Sequence, residues 1–171
     1  NFFLKDGTHF LRLHKLDYSG DNLINSRPML KKALETQQAH FGFEKGFIGL
    51  SYRVTIPLFD ENNEFLGAFE IGTSLSKIMY SVTFFNHIQG TIFEKDTNQF
   101  TNSNFPIDSK LLELIKDFKY EKVNRDIVFD NKHLTLQFFN LNSLDGEFLG
   151  NFIFFHDLTK YYDDFYHVVK S

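Results

Sequence analysis

The side chains that could do chemistry are concentrated in the first half of the sequence, within short strand-like runs. Alternation along the segment Phe10–His14 would place Arg12 and His14 on one face. Arg53 and Glu70 lie in two later apolar runs, and adjoining antiparallel strands would bring them towards the first pair. A guanidinium is a planar, two-pronged donor that suits a carboxylate. The pattern therefore predicts a concave cationic surface that could hold a small organic anion, with Tyr52 or His14 donating the remaining hydrogen bond.

The same residues also have structural interpretations, which remain open at this level. Arg53 and Glu70 could pair across two strands as an ion pair, and Arg12 could face solvent. The glycines of the first half, such as Gly42 and Gly46, would then serve turns and bulges.

Motifs for catalysis or metal binding are weak. An enzyme would need His14 beside Asp21 or Glu44 as an acid–base pair with a perturbed pKa in a cleft. His9, His14 and Asp21 could ligate a metal, but their spacing matches no metal motif. The sequence has no nucleophile elbow, no His-Glu-x-x-His helix and no Gly-Lys-[Ser/Thr] phosphate loop. We therefore expect no catalytic residues, no metal and no cofactor.

Composition excludes several other classes. The 171 residues suffice for one ordinary domain or two small ones. A formal net charge of −4 with no basic stripe argues against nucleic-acid binding. The absence of Cys excludes disulfides, thiol nucleophiles and Cys-based zinc sites. No stretch approaches the roughly 20 apolar residues that span a bilayer, and the start lacks a signal-peptide pattern, so the chain is expected to be an excised soluble segment.

An internal repeat sets the expected organisation. The segment Glu64–Phe69, Glu-Phe-Leu-Gly-Ala-Phe, recurs as Glu-Phe-Leu-Gly-Asn-Phe at Glu147–Phe152. Each copy leads to a Leu-[Ser/Thr]-Lys step, at Leu75–Lys77 and Leu158–Lys160. A repeat of this kind predicts two similar lobes, which we place at residues 1–80 and 81–171.

Each lobe is expected to be α+β, because 23 Phe with no Trp and only 2 Met, spread along the chain in strand-like runs, favour sheet-based layers over a helical bundle. The predicted elements are strands at Phe2–Lys5, His9–His14, Phe43–Gly46, Leu50–Phe59 and Phe65–Thr73 with a helix from Arg27-Pro28; strands at Gly90–Glu94, Gln99–Asn102, Glu121–Phe129, His133–Leu141 and Phe148–His156 with a helix at Ile107–Phe118 opened by Pro106; a connecting helix at Ser76–His87; and a terminal helix at Leu158–Val169.

A set of motifs occurs in order along the first lobe: Phe10–His14, Gly20-Asp21-Asn22-Leu23, Arg27-Pro28, Gly42–Gly46, Gly49, Tyr52-Arg53, Pro57 and Gly67-x-x-Glu70-x-Gly72. Together these motifs resemble the extracytoplasmic double Cache sensor domains of bacterial chemoreceptors and sensor kinases. One departure is Leu16, where the family pattern has Pro two residues after the His.

The resemblance implies two PAS-like (Cache) lobes outside the inner membrane, each a mainly antiparallel sheet of about five strands with flanking helices. The first lobe would be membrane-distal and bind a small carboxylate; the second would be membrane-proximal and end in an exit helix. Attached membrane and cytoplasmic signalling domains and a homodimer are also implied. The alternative is an unliganded structural or dimerisation module that senses through a partner protein. The implied ligand-binding residues are Arg12, His14, Arg27, Tyr52, Arg53 and Glu70.

Overall fold

The computed structural model describes residues 1–46, 49–86, 88–102, 107–118 and 123–169. Pro106, His87 and the start of the strand predicted at Glu121–Phe129 lie outside these described residues. The chain divides into two compact units, Asn1–Leu75 with Asn142–Glu147, and Ser76–Leu141 with Phe148–Ser171. No helix within the described ranges is both long and apolar enough to cross a membrane.

The first unit is built on an antiparallel sheet with the strand order β2-β1-β5-β4-β3. One helix packs on it, since Met29, Leu30, Ala33 and Leu34 recur at helical spacing and are all buried. The helix begins at Pro28, where proline's missing N–H has no helical partner to lose. The elements are β1 (Phe2–Leu4), β2 (His9–Leu11), α1 (Pro28–Thr36), β3 (His40–Gly46), β4 (Gly49–Phe59) and β5 (Phe65–Ser74).

The second unit repeats this plan with the order β7-β6-β10-β9-β8. Asp108 caps its short helix by accepting the Lys110 N–H at 2.7 Å, and the helix continues into a 3-10 turn at Lys116–Phe118. The elements are α2 (Leu75–Asn86), β6 (Gln89–Glu94), β7 (Gln99–Asn102), α3 (Ser109–Ile115), β8 (Arg125–Phe129), β9 (Lys132–Asn142), β10 (Phe148–Asp157) and α4 (Thr159–Val169).

The repeated Glu-Phe-Leu-Gly motif has a steric reason in both sheets. A Cβ atom on Gly67 would lie 2.0 Å from the carbonyl oxygen of Phe3, and one on Gly150 would lie 2.0 Å from that of Phe93. Each glycine thus lets β5 or β10 approach its neighbouring strand, β1 or β6, more closely than any side chain allows. The predicted α+β class, with two lobes of five antiparallel strands each, is confirmed.

Candidate functional site

One face of the first sheet carries a row of charged side chains beneath the N-terminal end of α1. The register pairs Arg53 with Gly42 on one side and Gly72 on the other, so its side chain lies over two residues without a Cβ. A Cβ on Gly72 would lie 3.1 Å from Arg53 Nη1, and one on Gly46 would lie 2.7 Å from Arg53 Nη2. The glycines around Arg53 therefore leave the room that its guanidinium occupies.

Two carboxylates flank this guanidinium. Arg53 Nη1 donates to Glu70 Oε1 at 2.9 Å, and Glu70, which is 1% exposed, also accepts a 3.4 Å bond from the Thr55 hydroxyl. On the other side, Arg53 Nε lies 3.4 Å from Glu44 Oε1. Arg27 Nη1, from the residue that precedes α1, lies 3.5 Å from the same oxygen. Two guanidiniums thus converge on one carboxylate oxygen in a largely water-free region.

Glu44 is held between opposing effects. Its Oε2 accepts the Met29 backbone N–H at 2.8 Å, which ties β3 to the first turn of α1. Burial raises the pKa of Glu44, while the Met29 hydrogen bond and the charges of Arg53 and Arg27 oppose that rise. Arg53 Nε is buried and makes no hydrogen bond to a described residue, since its contact with Glu44 is long. The network consequently has a donor that could serve one more acceptor.

A second polar cluster lies on β2 and the loop after it. Arg12 Nε donates to His9 Nδ1 at 2.9 Å, and Arg12 Nη2 donates to Asp21 Oδ2 at 2.6 Å. The Tyr18 ring lies 4.4 Å from the Arg12 guanidinium, within cation–π distance. Burial and the charge of Arg12 lower the pKa of His9 to about 4, against the opposing charge of Asp21. His9 is therefore neutral near pH 7, with Nδ1 free of a proton.

Of the predicted ligand residues, the structure brings Arg27, Arg53 and Glu70 together. Arg12 is held in the separate cluster with Asp21. The prediction that β2 extends to His14 was wrong: the strand ends at Leu11, because the chain then enters turns in which Lys15 N–H donates to the Arg12 carbonyl and Tyr18 N–H to the Lys15 carbonyl. His14 consequently lies in an exposed turn.

Tyr52 is also separated from Arg53, although the two residues are adjacent in sequence. It lies on the opposite face of β4, where its ring makes an edge contact with Phe43 at 5.2 Å.

Glu44 and His9 are among the residues of these clusters that were not predicted as ligand residues. Glu44 was considered as an acid–base partner of His14, yet it lies in β3 and contacts both guanidiniums. His9 was considered as a possible metal ligand, yet it accepts a hydrogen bond from Arg12. The available signal for Glu44 was its alternation with Gly42 and Gly46, which places all three on the face that Arg53 shares.

A family model described as the double sensory domain of two-component sensor kinases matches residues 1–162. No curated protein matches the sequence.

Three similar solved structures have low identity to the chain. An extracellular ligand-binding receptor from Desulfohalobium retbaense is 12% identical over 90% of this chain and 28% of its own, with a TM-score of 0.45. The ligand-binding domain of the Pseudomonas aeruginosa amino-acid chemoreceptor PctB, with L-Arg, is 16% identical over 98% of this chain and 68% of its own (TM-score 0.41). That of PctC from the same organism, with GABA, is 15% identical over 78% and 62% (TM-score 0.36). The chain thus spans less than a third of the length of the first of these structures.

Proposed function

The chain belongs to the double Cache family of sensory domains of two-component sensor kinases, and on that premise we propose that it is the extracytoplasmic ligand-binding sensor of a transmembrane receptor. The family is sensory and not enzymatic. We assign the ligand site to the first lobe, residues 1–80, as the membrane-distal one, and the signal exit to α4 of the membrane-proximal second lobe, residues 81–171. The proposed ligand is a small carboxylate.

The observation that carries the carboxylate assignment is the convergence of Arg27 and Arg53 on one oxygen of Glu44. Their contacts of 3.5 and 3.4 Å exceed the roughly 2.7–2.9 Å of strong charge-assisted hydrogen bonds. Both guanidiniums therefore retain donor capacity that a better-placed acceptor could use. A ligand carboxylate bridging the two arginines would make shorter bonds than Glu44 does.

Charge balance supports a single negative charge on the ligand. Arg27 and Arg53 are offset by Glu44 and Glu70 when both carboxylates are ionised. Burial raises the pKa of Glu44 and so favours its protonated form. With Glu44 neutral, the network carries one net positive charge, which a monocarboxylate would neutralise.

The proposed site therefore consists of Arg27, Arg53 and Glu70 from the predicted set, with Glu70 orienting Arg53. Arg12 is left out of the site, because it is held in the separate cluster with His9 and Asp21. His14 and Tyr52 are left out of the site, because one lies in an exposed turn and the other on the opposite face.

Signalling would be conformational. A carboxylate that binds one conformation of the first lobe more tightly shifts the population towards that conformation, and α4 would pass the change on towards the membrane. Affinity is bounded by ligand size: at a ceiling of about 1.5 kcal/mol per heavy atom, acetate gains at most roughly 6 kcal/mol. This corresponds to a dissociation constant of some tens of micromolar, so millimolar ligand should raise the melting temperature.

A thermal-shift panel tests the assignment. We expect one or more short carboxylates, such as acetate, propionate or lactate, to raise the melting temperature, and the matching amides to have no effect. Arg27→Gln should weaken the response by about tenfold or more, because it removes a charged hydrogen-bond donor. Lys31→Gln is the matched control, since Lys31 is an exposed α1 cation outside the site. A folded protein that responds to no carboxylate, or equally to amides, contradicts the proposal.

A second candidate function is an unliganded module that senses through a partner protein. It is favoured by the fact that Arg27 and Arg53 already have carboxylate partners within the lobe. In that case Arg53→Ala changes stability, and no small molecule in the panel shifts the melting temperature.

A further inference from the structure

The second unit contains a cavity of about 740 Å³ that plays no part in the proposed first-lobe site. Leu111, Leu134 and Phe155 line it, and each is less than 8% exposed, so its inner wall is apolar. The volume falls within the roughly 300–1,000 Å³ of pockets that hold small organic molecules. The cavity thus has the size and the apolar wall of a small-molecule site.

The rim of this cavity is negatively charged. Among the described residues that line it, Asp108, Asp130 and Asp157 face one lysine, Lys132, whose Nζ lies 3.5 Å from Asp157 Oδ2. Asp108 and Asp157 lie at the N-terminal ends of α3 and α4, whose dipoles contribute about half a positive charge each. The two helix dipoles together contribute about one positive charge. The three carboxylates exceed the lysine by two negative charges, so the rim remains negative.

Part of this negative charge is available to a ligand. Asp108 Oδ1 accepts a hydrogen bond from the Lys110 N–H, and Asp157 Oδ1 accepts hydrogen bonds from the Thr159 N–H and hydroxyl. These hydrogen bonds also lower the pKa of Asp157, which keeps it ionised. Asp130 is exposed at the turn between β8 and β9 and forms no ion pair within the described part of the chain. The second oxygen of Asp108 and both oxygens of Asp130 can therefore face a cation.

From the apolar wall and the acidic rim, we propose that the second lobe binds an organic cation: an ammonium group attached to a hydrocarbon or aromatic body. The body would pack on Leu111, Leu134 and Phe155 and remove apolar surface from water. The ammonium would lie at the rim between Asp108 and Asp130. An anion of the same shape is repelled by the rim, and a neutral analogue gains only the apolar contact.

The position of the cavity gives such a ligand a direct contact with α4. Leu158 precedes the helix and Tyr161 lies in its first turn, and both line the cavity. The Tyr161 ring is 73% exposed, so it is free to close over an ammonium group by a cation–π contact. Binding would thus order the start of α4, independently of any ligand in the first lobe.

Three probes of matched shape test the proposal on the whole chain: phenethylamine, 3-phenylpropionate and 2-phenylethanol. Titrations are followed by the methyl NMR signals of Leu111 and Leu134, which report on this cavity alone. We expect phenethylamine to shift both signals at millimolar concentration, 2-phenylethanol to bind more weakly, and 3-phenylpropionate to leave them unchanged.

A double substitution tests how much the rim carboxylates contribute to phenethylamine binding. Asp130→Asn combined with Asp108→Asn keeps a capping side chain on α3 and should weaken phenethylamine binding by about three- to tenfold. Binding of 2-phenylethanol should be unchanged in this variant. Asp163→Asn, on an exposed position of α4 outside the cavity, is the matched control and should bind phenethylamine as the wild type does.

The proposal is overturned if phenethylamine shifts neither methyl signal, if 3-phenylpropionate binds as tightly, or if Asp163→Asn weakens binding as much as the rim substitutions. The first-lobe carboxylate response uses different residues and a different readout. Failure of one proposal therefore leaves the other standing.

Discussion

Replacement of Arg53 by methionine tests whether the buried charges of the first sheet depend on one another. Methionine keeps an unbranched, apolar stem but removes the guanidinium. The Glu70 side chain, which is 0% exposed, then loses its 2.9 Å partner, and Glu44 loses one of its two cations. Breaking a buried pair by removing one partner costs about 3–5 kcal/mol, because the remaining charge stays out of water. We expect Arg53→Met to lower the free energy of unfolding by that amount.

A double-mutant cycle separates this coupling from lost packing. Glu70→Gln alone leaves Arg53 with Glu44, and the double variant removes both members of the 2.9 Å pair. The double variant should therefore be more stable than the sum of the two single effects predicts, by about 1–3 kcal/mol. The exposed pair Lys31–Glu35, at 3.8 Å on α1, is the control, and Glu35→Gln should cost under about 0.5 kcal/mol.

Urea titration followed by circular dichroism gives the total stability, and native-state hydrogen exchange of the β4 and β5 amides reports on the first lobe. The second measurement is needed because two lobes need not unfold as one two-state unit. An Arg53→Met protein within about 1 kcal/mol of the wild type would refute the reasoning. It would mean that water reaches Glu70 and replaces the guanidinium.

Two further predictions concern pH and the repeated glycines. The pKa of His9 falls from 6.5 to about 4 on folding, so the unfolded chain takes up the proton first as the pH drops through that window. The free energy of unfolding should therefore fall by up to about 3 kcal/mol between pH 6.5 and 4, and urea titrations of His9→Asn should not show this fall. An equal fall in the wild type and in His9→Asn would disprove the assignment to His9. Gly67→Ala and Gly150→Ala should each cost about 2–4 kcal/mol, because a Cβ at either position would lie 2.0 Å from a carbonyl oxygen. Hydrogen exchange should locate each loss in its own lobe, and a melting temperature within about 2 °C of the wild type would contradict the steric argument.

The element order was predictable because its signals are local. Period-two alternation marks β4 and β5 whichever strands lie beside them, and Pro28 marks the start of α1 by its own covalent structure. The repeated Glu-Phe-Leu-Gly segment indicated two lobes for a similar reason, since both copies meet the same steric demand at Gly67 and Gly150.

The end of β2 and the partner of Arg12 were not predictable in the same way. Residues 10–14 alternate as a strand would, yet the strand stops at Leu11, since the chain then turns with Lys15 N–H donating to the Arg12 carbonyl. Arg12 then turns towards Asp21 at 2.6 Å. Local propensity is a weak prior that such non-local bonds can override.

The sequence by itself contains the alternation that puts Tyr52 and Arg53 on opposite faces of β4, although both residues were predicted to share one site. It also determined that three of the four arginines, Arg12, Arg27 and Arg53, lie in the first lobe. Only the tertiary structure decided which charges meet, because an ion pair depends on strand register and on how α1 covers the sheet. Arg27, Glu44 and Arg53 lie in separate segments of the chain. In the folded lobe, a guanidinium nitrogen of each arginine lies within 3.5 Å of Glu44 Oε1. Charge interactions fall off with distance and strengthen with burial, and both quantities are properties of the fold.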